Sequence, residues 1–318
     1  MATFVPISTF SSRIPDAPWA ITRREIVPAP PERVWRALTD PDEVCRWWSD
    51  AAEIELTPGG RFAFHGAHVP GPVLFGGPTA AERPGDFELL DVSPPEHFSF
   101  RWYLGDIPTV VSFRLENQLE LTILRVVQTA EEKIGWKDAP ESPNWWWLAL
   151  PSLRNHVEGS SSPLRLNYEE YDDGPLDGPL QFEIDTFTFP WVIWQKLTDP
   201  VQLMRWWGRE AEISLVPGGT YRIAKEFMSG PGRGPEQILE FEESRSLIHD
   251  WLYDDGTHGE IEWRIEETDE STRVTLTDRG PWPKGSAAIE LALDRAVRLV
   301  YFKQICERGV TPFEYQAD

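Results

Sequence analysis

The sequence is poor in cysteine. Cys45 and Cys306 are the only two in 318 residues, which excludes a disulfide framework and a multi-cysteine zinc site. Basic residues are also short: 30 Lys and Arg against 52 Asp and Glu leave a net charge of −22 and a pI near 4.7. A field of that sign repels phosphate backbones and anionic membrane surfaces, so neither nucleic acid nor membrane is an expected partner. No apolar run reaches the ~18 residues that a membrane span needs. The opening Met1-Ala2-Thr3-Phe4-Val5-Pro6 has neither the basic region nor the apolar core of a signal peptide, and the expected location is the cytoplasm. A Gly-x-Ser-x-Gly elbow, a P-loop and a dinucleotide fingerprint are all missing, so no cofactor is implied. Gly230-Pro231-Gly232-Arg233-Gly234 is glycine-rich, but its prolines and its place between strands make it a hairpin connection.

Tryptophan, by contrast, is abundant: 16 residues, with 16 Phe and 7 Tyr beside them. Such rings fill cores with large, stiff apolar area, or they line cavities. Their placement follows an internal repeat. Trp35-Arg36-Ala37-Leu38-Thr39-Asp40-Pro41 returns as Trp194-Gln195-Lys196-Leu197-Thr198-Asp199-Pro200, and Arg46-Trp47-Trp48 returns as Arg205-Trp206-Trp207. Ala52-Glu53-Ile54 and Pro58-Gly59-Gly60 return as Ala211-Glu212-Ile213 and Pro217-Gly218-Gly219, every pair 159 positions apart. The later halves align at a slightly smaller offset, Trp102 with Trp251 and Phe113 with Trp263. The period is too long for a solenoid and marks a duplicated domain. The expected boundaries are 1–159 for the first copy, 160–179 for a linker rich in Ser, Gly, Pro and Asp, and 180–318 for the second.

Each copy reads as α+β. In the second, Gln181 to Asp185 alternates as a strand, a helix with Pro190 in its first turn follows, and Thr198-Asp199-Pro200 stops it and caps a second helix carrying Met204, Trp206 and Trp207. Pro217-Gly218-Gly219 is a tight turn. Four strands then alternate (237–241, 247–253, 261–265 and 272–276), and Ala287 to Arg308 forms one long helix, apolar around most of its circumference and so covered on several sides. The predicted fold is a curved antiparallel sheet wrapped around that helix, twice over. In the first copy Pro140, Pro143 and Pro151 predict a shorter or bent final helix, and a long Gly/Pro loop from Gly66 to Gly85 predicts a more open interior. Leu121, Ile123 and Val127 make one strand apolar on its outer face too, for which the second domain is the expected cover.

These residues resemble a known family. Val34-Trp35-x-x-Leu38-Thr39-Asp40-Pro41, then Arg46-Trp47-Trp48, then Pro58-Gly59-Gly60-x-Phe62 is similar to the domain of the activator of heat-shock-protein-90 ATPase homologues, within the START/Bet v 1-like (SRPBCC, helix-grip) superfamily. The resemblance implies a cavity between sheet and long helix, used in the superfamily for lipids, polyketides and other apolar molecules. It implies three kinds of role: binding an elongated polyketide- or polyene-like molecule in natural-product biosynthesis or self-resistance, aromatase/cyclase catalysis, and co-chaperone-type protein interaction.

Strand parity puts Phe100, Trp102 and Phe113 inward in the first copy, with His249, Trp251 and Trp263 inward in the second. Trp48 and Trp207, Phe62, Phe64 and Tyr221 near the double glycines, and Trp146 and Tyr301 on the final helices complete the expected ligand lining. One ring of each Trp pair is expected to anchor its helix instead. His249 is the candidate catalytic base, although a buried neutral imidazole fits the same position. His65 and His68 lie at a strand end with no third ligand, so no metal site is expected. Cys45 and Cys306 read as buried structural thiols. The oligomeric state is not legible.

Overall fold

The computed structural model describes residues 19–69, 87–104, 107–130, 142–159, 164–171, 178–226, 234–253, 256–281 and 286–309. The N-terminal arm, most of the Gly66–Gly85 loop and the 230–233 part of the hairpin connection lie outside the described residues. In the first domain the order is β1 (Trp19–Val27), α1 (Pro31–Thr39), α2 (Pro41–Trp47), β2 (Ala51–Ile54), β3 (Phe62–His65), β4 (Leu89–Ser93), β5 (His97–Leu104), β6 (Ile107–Gln118), β7 (Leu121–Ala130) and α3 (Ser142–Val157). The second repeats it: β8 (Leu180–Thr186), α4 (Pro190–Thr198), α5 (Pro200–Leu203), β9 (Gly208–Ile213), β10 (Tyr221–Glu226), β11 (Ile238–Glu242), β12 (Ser246–Leu252), β13 (His258–Glu267), β14 (Thr272–Asp278) and α6 (Ser286–Arg308). Each has a five-stranded antiparallel sheet of one topology, β1-β7-β6-β5-β4 and β8-β14-β13-β12-β11, with a two-stranded ribbon beside it.

The repeated motifs hold the same places for the same reasons. Asp40 accepts from the backbone of Asp42 and Glu43, and Asp199 from that of Val201 and Gln202, so each aspartate caps the second helix. Thr39 and Thr198 bond back to the carbonyls of Trp35 and Trp194, both at 2.8 Å, closing the first helix. In the double glycines, Gly59 and Gly218 have φ of 83° and 76°, a region that a side chain disfavours. Gly60 and Gly219 are needed for space: a Cβ would lie 2.6 Å from the Glu55 carbonyl oxygen and 2.1 Å from that of Ser214.

Two expectations change. α5 ends at Leu203, so Met204, Trp206 and Trp207 follow it in turns rather than on the helix. The domains also meet differently: α3 packs on α6, with Trp147 and Tyr301 edge to face at 5.6 Å and the Arg23 guanidinium 4.3 Å over Trp147. On the outer face of β7 Leu121 stays exposed, Val127 is half-buried and Ile123 is buried. The wide apolar surface of α6 is explained by this sandwiching, sheet on one side and α3 on another. α3 is shorter than α6, 16 residues against 23, with Pro143 in its first turn and Pro151 inside it.

The seam carries buried charge. Arg154 Nη1 of α3 donates to Glu25 Oε1 of β1 at 2.7 Å, both side chains nearly inaccessible. Burial drives the Glu25 carboxyl above its usual range against the pull of Arg154. Arg308 of α6 pairs with Glu158 at the end of α3.

Candidate functional site: two aromatic interiors

In both domains the first tryptophan of the pair is an anchor. Trp47 Nε1 donates to the Ala37 carbonyl at 2.8 Å, and Trp206 Nε1 to that of Lys196 at 3.0 Å, each tying the connection to the preceding helix. The second ring turns to the interior. Trp48 meets Phe64 at 5.1 Å, Trp146 at 5.6 Å and Trp102 at 6.2 Å. Phe62 and Phe100 lie 4.7 Å apart, and Phe113 stands 5.6 Å from Trp146. Parity therefore brings together every candidate of the first domain.

It brings them into contact across the interior, and the expected hollow is filled. All seven rings are buried. The void bordered by Leu38, Val44, Trp47, Trp48, Phe62 and Phe64 measures about 10 Å³, room for one water at most, where ligand pockets span ~300–1,000 Å³. A second, more open recess of about 30 Å³ is also bordered by Trp47 and Trp48, together with His68, Arg165 and Tyr168. The physical reason is volume: opposing Trp and Phe side chains are long enough to meet between sheet and helix.

A buried hydrogen-bonded chain fixes the walls. Trp146 Nε1 donates to Gln128 Oε1, Gln128 Nε2 to Thr109 Oγ1, and Thr109 Oγ1 to the Trp102 carbonyl, each at 3.0 Å.

Among the described residues the second interior also holds buried rings in contact, and it carries charge. Trp207 stacks on Trp251 at 6.4 Å and lies 6.1 Å from Trp263. Arg295, fully buried on α6, stands 3.9 Å over Trp251 and donates from Nε to Asp278 Oδ2 at 2.8 Å and from Nη1 to Asp294 Oδ2 at 2.7 Å. Asp278 also accepts from Tyr253 and from the Gly280 amide, both at 3.2 Å. Gln128 and Asp278 hold matching registers, opposite Val111 and Ile261, so a Trp–Gln tie in one domain is replaced by an Arg–Asp tie in the other. Sequence reading missed this pair. The available signal was a charged triplet, Asp294, Arg295 and Arg298, in the middle of the helix between the apolar stretches Ala287–Ile289 and Leu299–Phe302.

Two candidates need correction. Tyr301 does not line the second interior. On α6 it points to Trp147 of α3, while its neighbour Phe302 meets Trp263 at 5.2 Å. His249 is inward, yet neither ring nitrogen is free to take a substrate proton. Nδ1 lies 2.7 Å from the Asp250 carbonyl, and Nε2 accepts from Trp263 Nε1 at 3.2 Å. Tyr221 stacks on it at 4.9 Å and donates to the Leu197 carbonyl at 2.8 Å. Burial pushes the Tyr221 phenol up.

Burial pushes His249 down to about 4, against ~6.5 for a free imidazole. Between those values the unfolded chain takes up a proton that the folded chain refuses. The contribution is thus fully present above pH ~6.5 and is lost as pH falls through the window, ~3 kcal/mol in all. His249→Phe, the residue type of Phe100, is expected to flatten the acid limb of stability. Urea midpoints at pH 7 and at ~4.5 check it; an unchanged difference between them would show that His249 does not carry the proton.

The remaining histidines each lie beside a carboxylate. His68 Nδ1 lies 2.7 Å from Asp50 Oδ1, and His65 Nε2 lies 3.3 Å from Glu53 Oε1. Among the described residues no cluster of three or more His, Cys, Asp or Glu could hold a metal ion, and no helix is long and apolar enough to cross a membrane. Cys45 and Cys306 are both partly buried, and burial raises the Cys306 thiol.

Paired sheets closed by a final helix, each with two short helices after its first strand, define a tandem helix-grip protein. The profile of Activator of Hsp90 ATPase homolog 1-like proteins matches residues 28–157 and 189–294, and the chain belongs to that family. Among solved structures it is similar to DynU16, described as a protein in the dynemicin biosynthetic locus, at 17% identity over 91% of this chain and 98% of that one, TM-score 0.36. It is similar to CalU16 from Micromonospora echinospora at 22% identity over 43% and 75% of the chains, TM-score 0.34. PFC0360w, an HSP90 activator from Plasmodium falciparum, matches at 16% over 44% and 96%, TM-score 0.33. No curated protein matches the sequence.

Proposed function

We propose that the chain is a binding protein for a narrow, elongated apolar molecule of polyene or polyketide type, taken up by the first domain. The observation that carries this is the position of the two recesses: the inner void and the outer recess both border the Trp47–Trp48 pair, amid aromatic walls. The second interior, tied by buried Arg295 and Asp278, is costlier to open, because separating a buried ion pair leaves uncompensated charge. It supports the first.

The filled state sets the energetics. Opening ~300 Å³ at ~24 cal/mol per Å³ costs about 7 kcal/mol. Burying ~300 Å² of guest at ~25 cal/mol per Å² returns about the same. Binding is therefore weak unless the guest is slender or part of the opening comes from a segment that moves aside. A titration with the neutral dye N-phenyl-1-naphthylamine tests the reading, together with native mass spectrometry of freshly purified protein. Saturable, 1:1 dye binding is expected; no binding at any soluble concentration and no co-purified compound would sink it. His249 offers no accessible base, so the aromatase/cyclase alternative has no proton-transfer group in this position.

A second reading, protein docking of co-chaperone type, is favoured by one feature. Phe187, Phe189 and Trp191, between β8 and the first turn of α4, are 84%, 64% and 57% exposed, where the first copy has Pro28, Pro30 and Glu32. Exposed rings in a row mark contact surfaces. Under that reading a Phe187→Ser/Phe189→Ser variant stops stimulating a chaperone ATPase that the unaltered chain stimulates; if the unaltered chain has no effect on the ATPase, this reading is wrong.

A further inference from the structure

We propose that Leu164–Tyr168 is a strap that closes the mouth of the first domain's interior, and that the guest passes beneath it and past Trp48. The inference rests on the apolar-guest reading and adds the route. This stretch joins the two domains but has no helix or strand of its own before the 3-10 turn at Tyr168–Tyr171. It is fastened to three separate elements of the first domain. Arg165 Nη1 donates to the Cys45 and Ser49 carbonyls at 3.1 and 2.9 Å, at the C-terminal end of α2, where a cation meets the negative end of the helix. Ser152 of α3 donates its hydroxyl to the Leu164 carbonyl at 2.6 Å, and the Tyr168 amide donates to the Ala67 carbonyl at 2.7 Å beyond β3.

The outer recess lies directly beneath. Arg165, Leu166 and Tyr168 form its roof, and Trp47, Trp48 and Leu148 are among its floor residues. The inner void borders the same two tryptophans. Trp47 and Trp48 are thus the wall shared by the recess under the strap and the void in the core. Lifting the strap breaks a few hydrogen bonds and uncovers the buried Leu166 and Tyr168 side chains, but it leaves both sheets intact. A segment held mainly by single attachments is of the kind that opens locally, below the free energy of global unfolding. The 3-10 turn that follows touches α6, so movement of the strap reaches the second domain.

Hydrogen exchange on the full chain is the first measurement. Peptides covering 164–168 are expected to exchange by local opening, faster than α3. Arg165→Ala is expected to accelerate them about tenfold, with Arg165→Lys in between. Strap amides that exchange only with α3, in the unaltered chain and in Arg165→Ala alike, would overturn the proposal. The second measurement is the stopped-flow association rate of N-phenyl-1-naphthylamine, expected to rise about tenfold in Arg165→Ala along with exchange. If the dye binds both proteins at one rate, the strap is not the gate and the binding function stands. If it binds neither, the guest reading fails, and the exchange result alone decides whether the strap opens.

Discussion

Asp278→Ala is expected to destabilise the second domain by about 3–5 kcal/mol, the cost of leaving a buried charge without its partner. Asp278 accepts from Arg295, Tyr253 and the Gly280 amide, and Arg295 is fully buried against Trp251. Removing the carboxylate strands all three donors. Asp294 still holds Arg295 Nη1, but it is shared with Arg298, and among the described residues Arg295 Nη2 finds no acceptor. In an Arg295→Met background the same substitution should cost roughly half as much, because the charge it would strand has gone. Urea denaturation of the four proteins of this cycle measures the coupling, expected to exceed ~1 kcal/mol. Additive single effects would mean that Arg295 and Asp278 do not act as a unit, and that the second interior is no harder to open than the first.

Much of the architecture is legible because it depends on residues with few alternatives. Asp40 and Asp199 can cap, Gly59 and Gly218 can adopt positive φ, and Gly60 and Gly219 leave room for a carbonyl. Repeated at a fixed spacing, such residues announce a duplicated α+β unit. Period two also places Phe100, Trp102, Phe113, His249, Trp251 and Trp263 inside, where they are found.

What parity cannot tell is how far a side chain reaches. It assigns a ring to the inner face of a wall, yet whether opposite rings leave a hollow or meet depends on the separation of sheet and helix, which no local pattern encodes. The abundance of tryptophan was the available signal for filling. Tyr301 escapes parity for a related reason. On a helix with apolar residues on more than one face, neither the face toward the sheet nor that toward α3 stands out, and one residue's step of 100° separates Tyr301 from Phe302. The Arg165 attachments are long-range side-chain-to-carbonyl bonds, for which spacing gives no hint.

Trp48→Ala is expected to do two opposite things at once. Truncating a buried Trp costs ~3–5 kcal/mol, so the unfolding midpoint of the first domain should fall. The same change joins the inner void to the outer recess, both of which Trp48 borders, and leaves a chamber walled by Phe64, Trp102 and Trp146. Apolar chambers of roughly 150 Å³ stay dry and accept a benzene-sized guest. Room that the native protein must open at a cost is then already present, so N-phenyl-1-naphthylamine should bind about tenfold tighter and recover part of the lost stability as its concentration rises. Trp207→Ala, the matching change in the second domain, is expected to lose stability without gaining dye affinity, because Arg295, Arg298 and Asp278 leave a charged chamber that disfavours an apolar ring. Equal gains from the two substitutions would remove the distinction between a receiving and a supporting domain. No gain from Trp48→Ala would mean that the space behind that ring is not where a guest goes.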